Sequence, residues 1–159
     1  MTLNPSNPDP SRMSPSEALR NLDETIREKS ILEHPFYQAW NKGMLTKDQL
    51  ATCPHLLCAR RGVSELPGGG RDESQQPDVS HTKASGLRAF YGVEDAKTLE
   101  YFTVHEAADV RHRAGEREAL AACLVAGVPV HVIQDAASQA LDAYWGLLDG
   151  VCSEIGLSC

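Results

Sequence analysis

The run Tyr101-Phe-Thr-Val-His105-Glu-Ala-Ala-Asp109-Val-Arg-His112 holds the residue types and spacing best suited to chemistry. His105, Asp109 and His112 stand at i, i+4 and i+7, so a helix carries all three on one face. At ~1.5 Å of rise per residue, His105 and His112 lie ~10.5 Å apart along the axis. That separation is awkward for three ligands on one ion. It suits two ions ~3.5–4 Å apart, with a carboxylate between two imidazoles. Imidazole and carboxylate together favour iron, manganese or zinc over calcium. On spacing alone, the same run also reads as a solvated helix, carrying Glu106, Arg111 and Arg113, on which two histidines happen to share a face.

The cysteines offer less. Cys53-Pro-His55-Leu-Leu-Cys58 has a zinc-like look, but no second ligand pair follows at finger spacing. Five cysteines (53, 58, 123, 152 and 159) form an odd set without framework spacing, so free thiols in a reducing compartment are expected.

The elements that must position these residues read as helices throughout. Ser14-Pro15-Ser16-Glu17 is a capping box with Pro at the first helical position. The helix it opens carries Leu19, Leu22 and Ile26 on one stripe and should break at His34-Pro35, since the residue before Pro is pushed from the α region. A short amphipathic segment, Phe36 to Trp40, ends at Gly43, and Thr46-Lys-Asp-Gln49 is a second capping box. The stretch from about 53 to 71 is dense in Gly and Pro, follows no period, and reads as an irregular linker. Asp78 is the expected cap of a helix reaching Tyr91-Gly92, with Leu87, Phe90 and Tyr91 on its apolar side. A long helix follows from about Asp95 to Val125. The last runs from about Val130 to Val151, with Ile133, Ala137, Leu141, Tyr144 and Leu148 at spacings of three and four. The expected class is all-α: a tail over 1–13, one helical domain over 14–152, and a second tail over 153–159.

Three blocks of the chain resemble the CADD-type branch of the TenA/PqqC-like superfamily. The first is Ile31-Leu-Glu-His-Pro-Phe-Tyr37 with Trp40, Lys42-Gly43 and Leu45-Thr-Lys-Asp-Gln-Leu50. The second is Glu73-Ser-Gln75 with Pro77, Lys83, Gly86-Leu87 and Phe90-Tyr91-Gly92. The third is Tyr101-Phe102-Thr103, His105-Glu106, Ala108 to His112, and Gly146 to Asp149. The resemblance implies a haem-oxygenase-like helical bundle, here shortened, with two iron or manganese ions that activate O₂. It implies Glu73, His105, Asp109 and His112 as metal ligands. In the CADD branch it implies p-aminobenzoate synthesis, with Tyr37 as the sacrificial source of the ring and Lys83 needed for amination. In the quinone-synthase branch it implies the oxidation that completes pyrroloquinoline quinone. The TenA branch, which hydrolyses thiamin-related compounds, uses a cysteine nucleophile, but neither Cys123 nor Cys152 lies in a block resembling its site. Taken singly, Tyr37 reads as a core aromatic, Lys83 as a surface lysine and Glu73 as a loop acid.

The chain departs from the family between the Leu-Thr-Lys-Asp-Gln-Leu and Glu-Ser-Gln blocks. Family members carry further helices there, which supply another Glu and His to the metals. Here only the linker stands in that place, and His55 and Glu65 give no reason to be placed as substitutes. The expected consequence is a site short of ligands, holding two ions, one or none, or completed by a second subunit. A bundle without its covering helices also exposes apolar faces, which points to a homodimer or to instability. A non-catalytic remnant of the fold is then a reading to set beside the enzyme.

The bulk properties narrow the alternatives. With 15 basic against 22 acidic residues the net charge is −7, and no basic patch is present to draw nucleic acid. No stretch approaches the ~18 uncharged apolar residues of a membrane span. Met1 to Met13 is polar, carries Pro5, Pro8 and Pro10, and has no apolar core of a secretory signal. A cytoplasmic protein is expected.

Overall fold

The computed structural model describes residues 13–52 and 74–159. The N-terminal tail over 1–12, the linker, the Cys53/His55/Cys58 group, Glu65 and Glu73 lie outside the described residues. Within them the chain forms six α-helices and no strand, an all-α bundle. The helices are α1 (Pro15–Glu28), α2 (Pro35–Asn41), α3 (Lys47–Thr52), α4 (Gln76–Tyr91), α5 (Ala96–Val125) and α6 (Val130–Ile155), with a 3-10 turn at Ile31–Glu33.

Local chemistry sets most of the boundaries. Ser14 N–H donates to Glu17 Oε2 at 2.9 Å while Ser14 Oγ accepts from Glu17 N–H, the reciprocal box that satisfies two orphan amides. Thr46 and Gln49 repeat it at α3, at 2.9 and 3.2 Å. Asp95 caps α5 by accepting from Thr98 N–H at 2.7 Å; the Thr98 hydroxyl, also at 2.7 Å, and then this amide hold its carboxyl below the usual carboxylate range. Gly92 leaves α4 at φ +67°, a left-handed conformation that a side chain would strain, and the chain turns there into α5.

Three boundaries differ from expectation. α1 stops at Glu28 because Ser30 and Ile31 enter a separate 3-10 turn, so the break precedes His34-Pro35. α4 starts at Gln76, which puts Asp78 in the first turn and Pro77 at its tolerated N-terminal position. α6 runs past Val151 to Ile155, since nothing interrupts it before Gly156 at φ +67°. Phe90 is also exposed, whereas its neighbours Leu87 and Tyr91 are buried.

The cysteine expectation is corrected at two positions. Cys152 and Cys159 form a disulfide, with Cα atoms 6.1 Å apart. Gly156 turns the chain back and Leu157 N–H donates to Cys152 O at 2.8 Å, so residue 159 returns to the end of the helix. Cys123 is a free, exposed thiol.

The core lies where α2, α4, α5 and α6 meet, around Phe36, Tyr37, Trp40, Leu87, Phe102 and Leu148. Burying a side chain such as Phe36 stabilises by about 1.5–3 kcal/mol. α1 packs against both α5 and α6. Arg117 forks onto Asp23, with Nη2 2.8 Å from Oδ2, and Trp145 Nε1 donates to Lys29 O at 3.3 Å. No helix among the described residues is long and apolar enough to cross a membrane.

Candidate functional site

α4 and α5 pack closely, and their contact carries the metal-type residues. Ser80 on α4 donates to Asp109 Oδ2 on α5 at 3.5 Å. Asp109 is only 6% exposed and Lys83, one helical turn beyond Ser80, only 4%. Aspartate and lysine rarely reach such burial without partners, because removing an ion from water costs several kcal/mol. Sequence taken singly makes Lys83 a surface residue; the structure makes it interior.

His105 is half-buried on the same helix. Its Nδ1 sits 2.6 Å from Tyr101 O, and its ring stacks on Tyr101 at 4.0 Å between centroids. A carbonyl oxygen only accepts, so Nδ1 carries a proton and Nε2 is the nitrogen left to ligate. This backbone brace is a common feature of metal-binding histidines. His112 is more open, with Nδ1 3.9 Å from Asp109 Oδ1. The helix thus brings Asp109 and His112 side by side and leaves His105 one turn away.

Among the described residues, the ligand atoms of His105, Asp109 and His112 do not converge within 4.8 Å of one another. One ion could not take all three without rearrangement. Glu73, the fourth expected ligand, is outside the described residues.

Tyr37 lies on α2, 1% exposed, with its ring edge-on to Phe36 at 5.2 Å. Burial, assisted by the nearby Tyr144 phenol, pushes its hydroxyl well above the ordinary tyrosine pKa. One turn along from each residue, α2 and α4 come into close contact. Trp40 lies against Gly86, and its Nε1 donates to Thr82 O at 3.3 Å. The approach is so close that a Cβ at Gly86 would land on the indole nitrogen and stand 2.7 Å from Cδ1.

Several participants escape a sequence reading. Gln76 Nε2 donates to Tyr144 Oη at 3.0 Å, beside Tyr37. Gln75 accepts from Ile31 N–H at 2.7 Å through Oε1, while its buried Nε2 finds no partner. Tyr144 shows in the sequence only as a member of the apolar stripe of α6, which hides its hydroxyl. His34, read as a helix breaker, is fully buried and caps α2 by accepting from Phe36 N–H at 3.1 Å. Its Nε2 stands 3.1 Å from Asp149 Oδ1.

Fold and site together define an all-α bundle with a buried phenol, a buried lysine and an imidazole–carboxylate face. Proteins of known activity resemble it. The chain is similar to the 4-aminobenzoate synthase of Nitrosomonas europaea, 35% identical over 79 residues, covering 50% of this chain and 32% of that protein. It is 30% identical over 123 residues to the 4-aminobenzoate synthase of Chlamydia pneumoniae, covering 77% of this chain and 51% of that one. In these two comparisons the matched part spans at most about half of the relative's length. The 4-aminobenzoate synthase of Chlamydia muridarum is 27% identical over 210 positions, covering 82% of this chain and 88% of that protein. Since 82% of 159 residues is about 130, roughly 80 of those 210 positions have no counterpart here, and the gap lies inside the matched region. No family model matches the chain. No solved structure matches it.

Proposed function

We propose that this chain forms 4-aminobenzoate in an O₂-dependent, di-metal oxidation that draws the ring from its own Tyr37. The similarity to proteins named 4-aminobenzoate synthase supports the product. The observation that carries the reading is the joint burial of Tyr37, Lys83 and Asp109, at 1%, 4% and 6% exposure. Taking a lysine and an aspartate out of water costs several kcal/mol, which their partners must offset.

Iron or manganese held by Glu73, His105, Asp109 and His112 would supply the activation of O₂. The chain's own groups do the rest. Tyr101 O engages His105 Nδ1, so Nε2 is the nitrogen that would ligate. Ser80 orients Asp109. Burial keeps the Tyr37 phenol protonated and away from bulk water. Lys83, on the interior face of α4, is assigned to amination of the ring. A homodimer could complete a site short of ligands, and exposed Val104, Val110 and Val132 leave apolar surface for a partner.

One observation favours a second reading, a non-catalytic helical shell: the internal gap of roughly 80 positions against the Chlamydia muridarum relative. Metal content separates the two. Elemental analysis of untagged protein should give about two iron or manganese ions per chain, lost in His105→Ala/His112→Ala. The wild type should then lose mass at Tyr37 as 4-aminobenzoate appears, and Tyr37→Phe should yield none. Absence of metal from both proteins would leave the shell reading.

A further inference from the structure

A second reactive cluster lies at the far end of α6, away from the imidazole–carboxylate face. Among the described residues, the one trio of His, Cys, Asp or Glu side chains with ligand atoms all within 4.8 Å is His34, Cys152 and Cys159. His34 and Cys152 are buried, at 0% and 1% exposure, whereas Cys159 is exposed. The two cysteines are joined as a disulfide.

The state of His34 decides what such a trio can do. Its Nδ1 accepts from Phe36 N–H at 3.1 Å, so Nδ1 carries no proton and Nε2–H is a donor. Asp149 Oδ1, 3.1 Å from Nε2, holds that tautomer. Asp149 precedes Cys152 by three residues on α6, so the two share a helix face. The Trp145 ring, 4.9 Å away and nearly perpendicular, closes another side of the imidazole. A metal on Nε2 would require the proton at Nδ1, where it would meet the Phe36 N–H. The helix cap therefore disfavours a metal on Nε2, whose proton Asp149 engages, and leaves the two sulfurs to their own chemistry.

We infer that Cys152 and Cys159 form a thiol–disulfide exchange site for low-molecular-weight thiols, entered at the exposed Cys159 and closed at the buried Cys152. A thiolate attacks Cys159 Sγ, forming a mixed disulfide as the Cys152–Cys159 bond breaks. Cys152 leaves as a thiolate and takes a proton from solvent. A second thiol attacks the mixed disulfide, freeing Cys159. Two electrons pass from two thiols, which end as their own disulfide, to the protein disulfide, which ends as two cysteine thiols. The cluster also touches the proposed chemistry, since the residue beside the sulfurs caps the helix that carries Tyr37. The inference stands on this cluster and is independent of the activity proposed above.

The test uses the full chain, glutathione redox buffers, peptide mapping and intact mass. Oxidising buffer should give the 152–159 disulfide, and reducing buffer should add two hydrogens per chain. Cys152→Ser should capture one glutathione at Cys159, while Cys159→Ser captures none at the buried Cys152. Two results would each overturn the inference: Cys152 and Cys159 staying unpaired in oxidising buffer, or equal capture by the two serine variants. Stoichiometric zinc on the reduced chain, lost in Cys159→Ser, would also overturn it and assign the trio to a metal.

Discussion

Gly86→Ala should disrupt the close contact of α2 with α4. The added Cβ would land on Trp40 Nε1, 2.7 Å from Cδ1 and 3.2 Å from Cε2. Trp40 is 2% exposed, edged by Phe36 and Tyr91, so it has nowhere to retreat. Overpacking of this kind costs about 1–3 kcal/mol. Moving the indole also breaks its bond to Thr82 O, a further ~0.5–1.5 kcal/mol. Against this, alanine in a helix interior gains about 0.5–1 kcal/mol over glycine. The expected net is a loss of roughly 1–3 kcal/mol from those three contributions. The control is Gly115→Ala, mid-helix in α5, where a Cβ meets nothing within 4 Å. It should stabilise by about 0.5–1 kcal/mol through helix propensity alone. Urea denaturation followed by circular dichroism reads both, and Trp fluorescence reports the indole. If Gly86→Ala is as stable as Gly115→Ala, the close approach of α2 to α4 is wrong.

Other outcomes follow from single residues. Tyr37 has a raised hydroxyl pKa, so above pH ~10 the unfolded chain releases a proton that the folded chain keeps, and stability should fall by up to about 1.4 kcal/mol per pH unit until the folded pKa is reached. Denaturation across alkaline pH should show a shallower slope in Tyr37→Phe; an unchanged slope would mean the phenol is not buried. Ser14→Ala removes the capping box of α1 and should cost about 1 kcal/mol, with Ser14→Gly costing less, both read as shifts in urea midpoint. Lys83→Met should leave the chain folded by circular dichroism while abolishing 4-aminobenzoate formation in protein loaded with iron or manganese. Product from that variant would remove Lys83 from the proposed chemistry.

The helices were legible from the sequence because their signals are local. Ser14-Pro15-Ser16-Glu17 and Thr46 to Gln49 each hold donor and acceptor within four residues, and Gly92 needs only its own backbone to stop α4. Periodicity also placed His105, Asp109 and His112 on one face, since helix geometry fixes spacing whatever packs nearby. It could not say that Asp109 is buried and His112 open; Ser80 on α4 covers one and not the other. The end of α1 was misplaced because the 3-10 turn at Ile31–Glu33 takes over before Pro35 acts, anchored by Gln75, 44 residues away.

The interior positions were decided by tertiary structure alone. Lys83 reads as a surface lysine until α4 is packed, and Gly86 has no visible purpose until Trp40 lies against it. Cys152 and Cys159 look like two unrelated thiols until Gly156 turns the chain back through left-handed space. His34 looks like a helix breaker, yet its ring also meets Asp149, 115 residues away. Residue type and short spacing carry the donors and the caps. Which side chains lose water, and which distant pairs meet, depends on how the helices pack, and short spacing does not encode that.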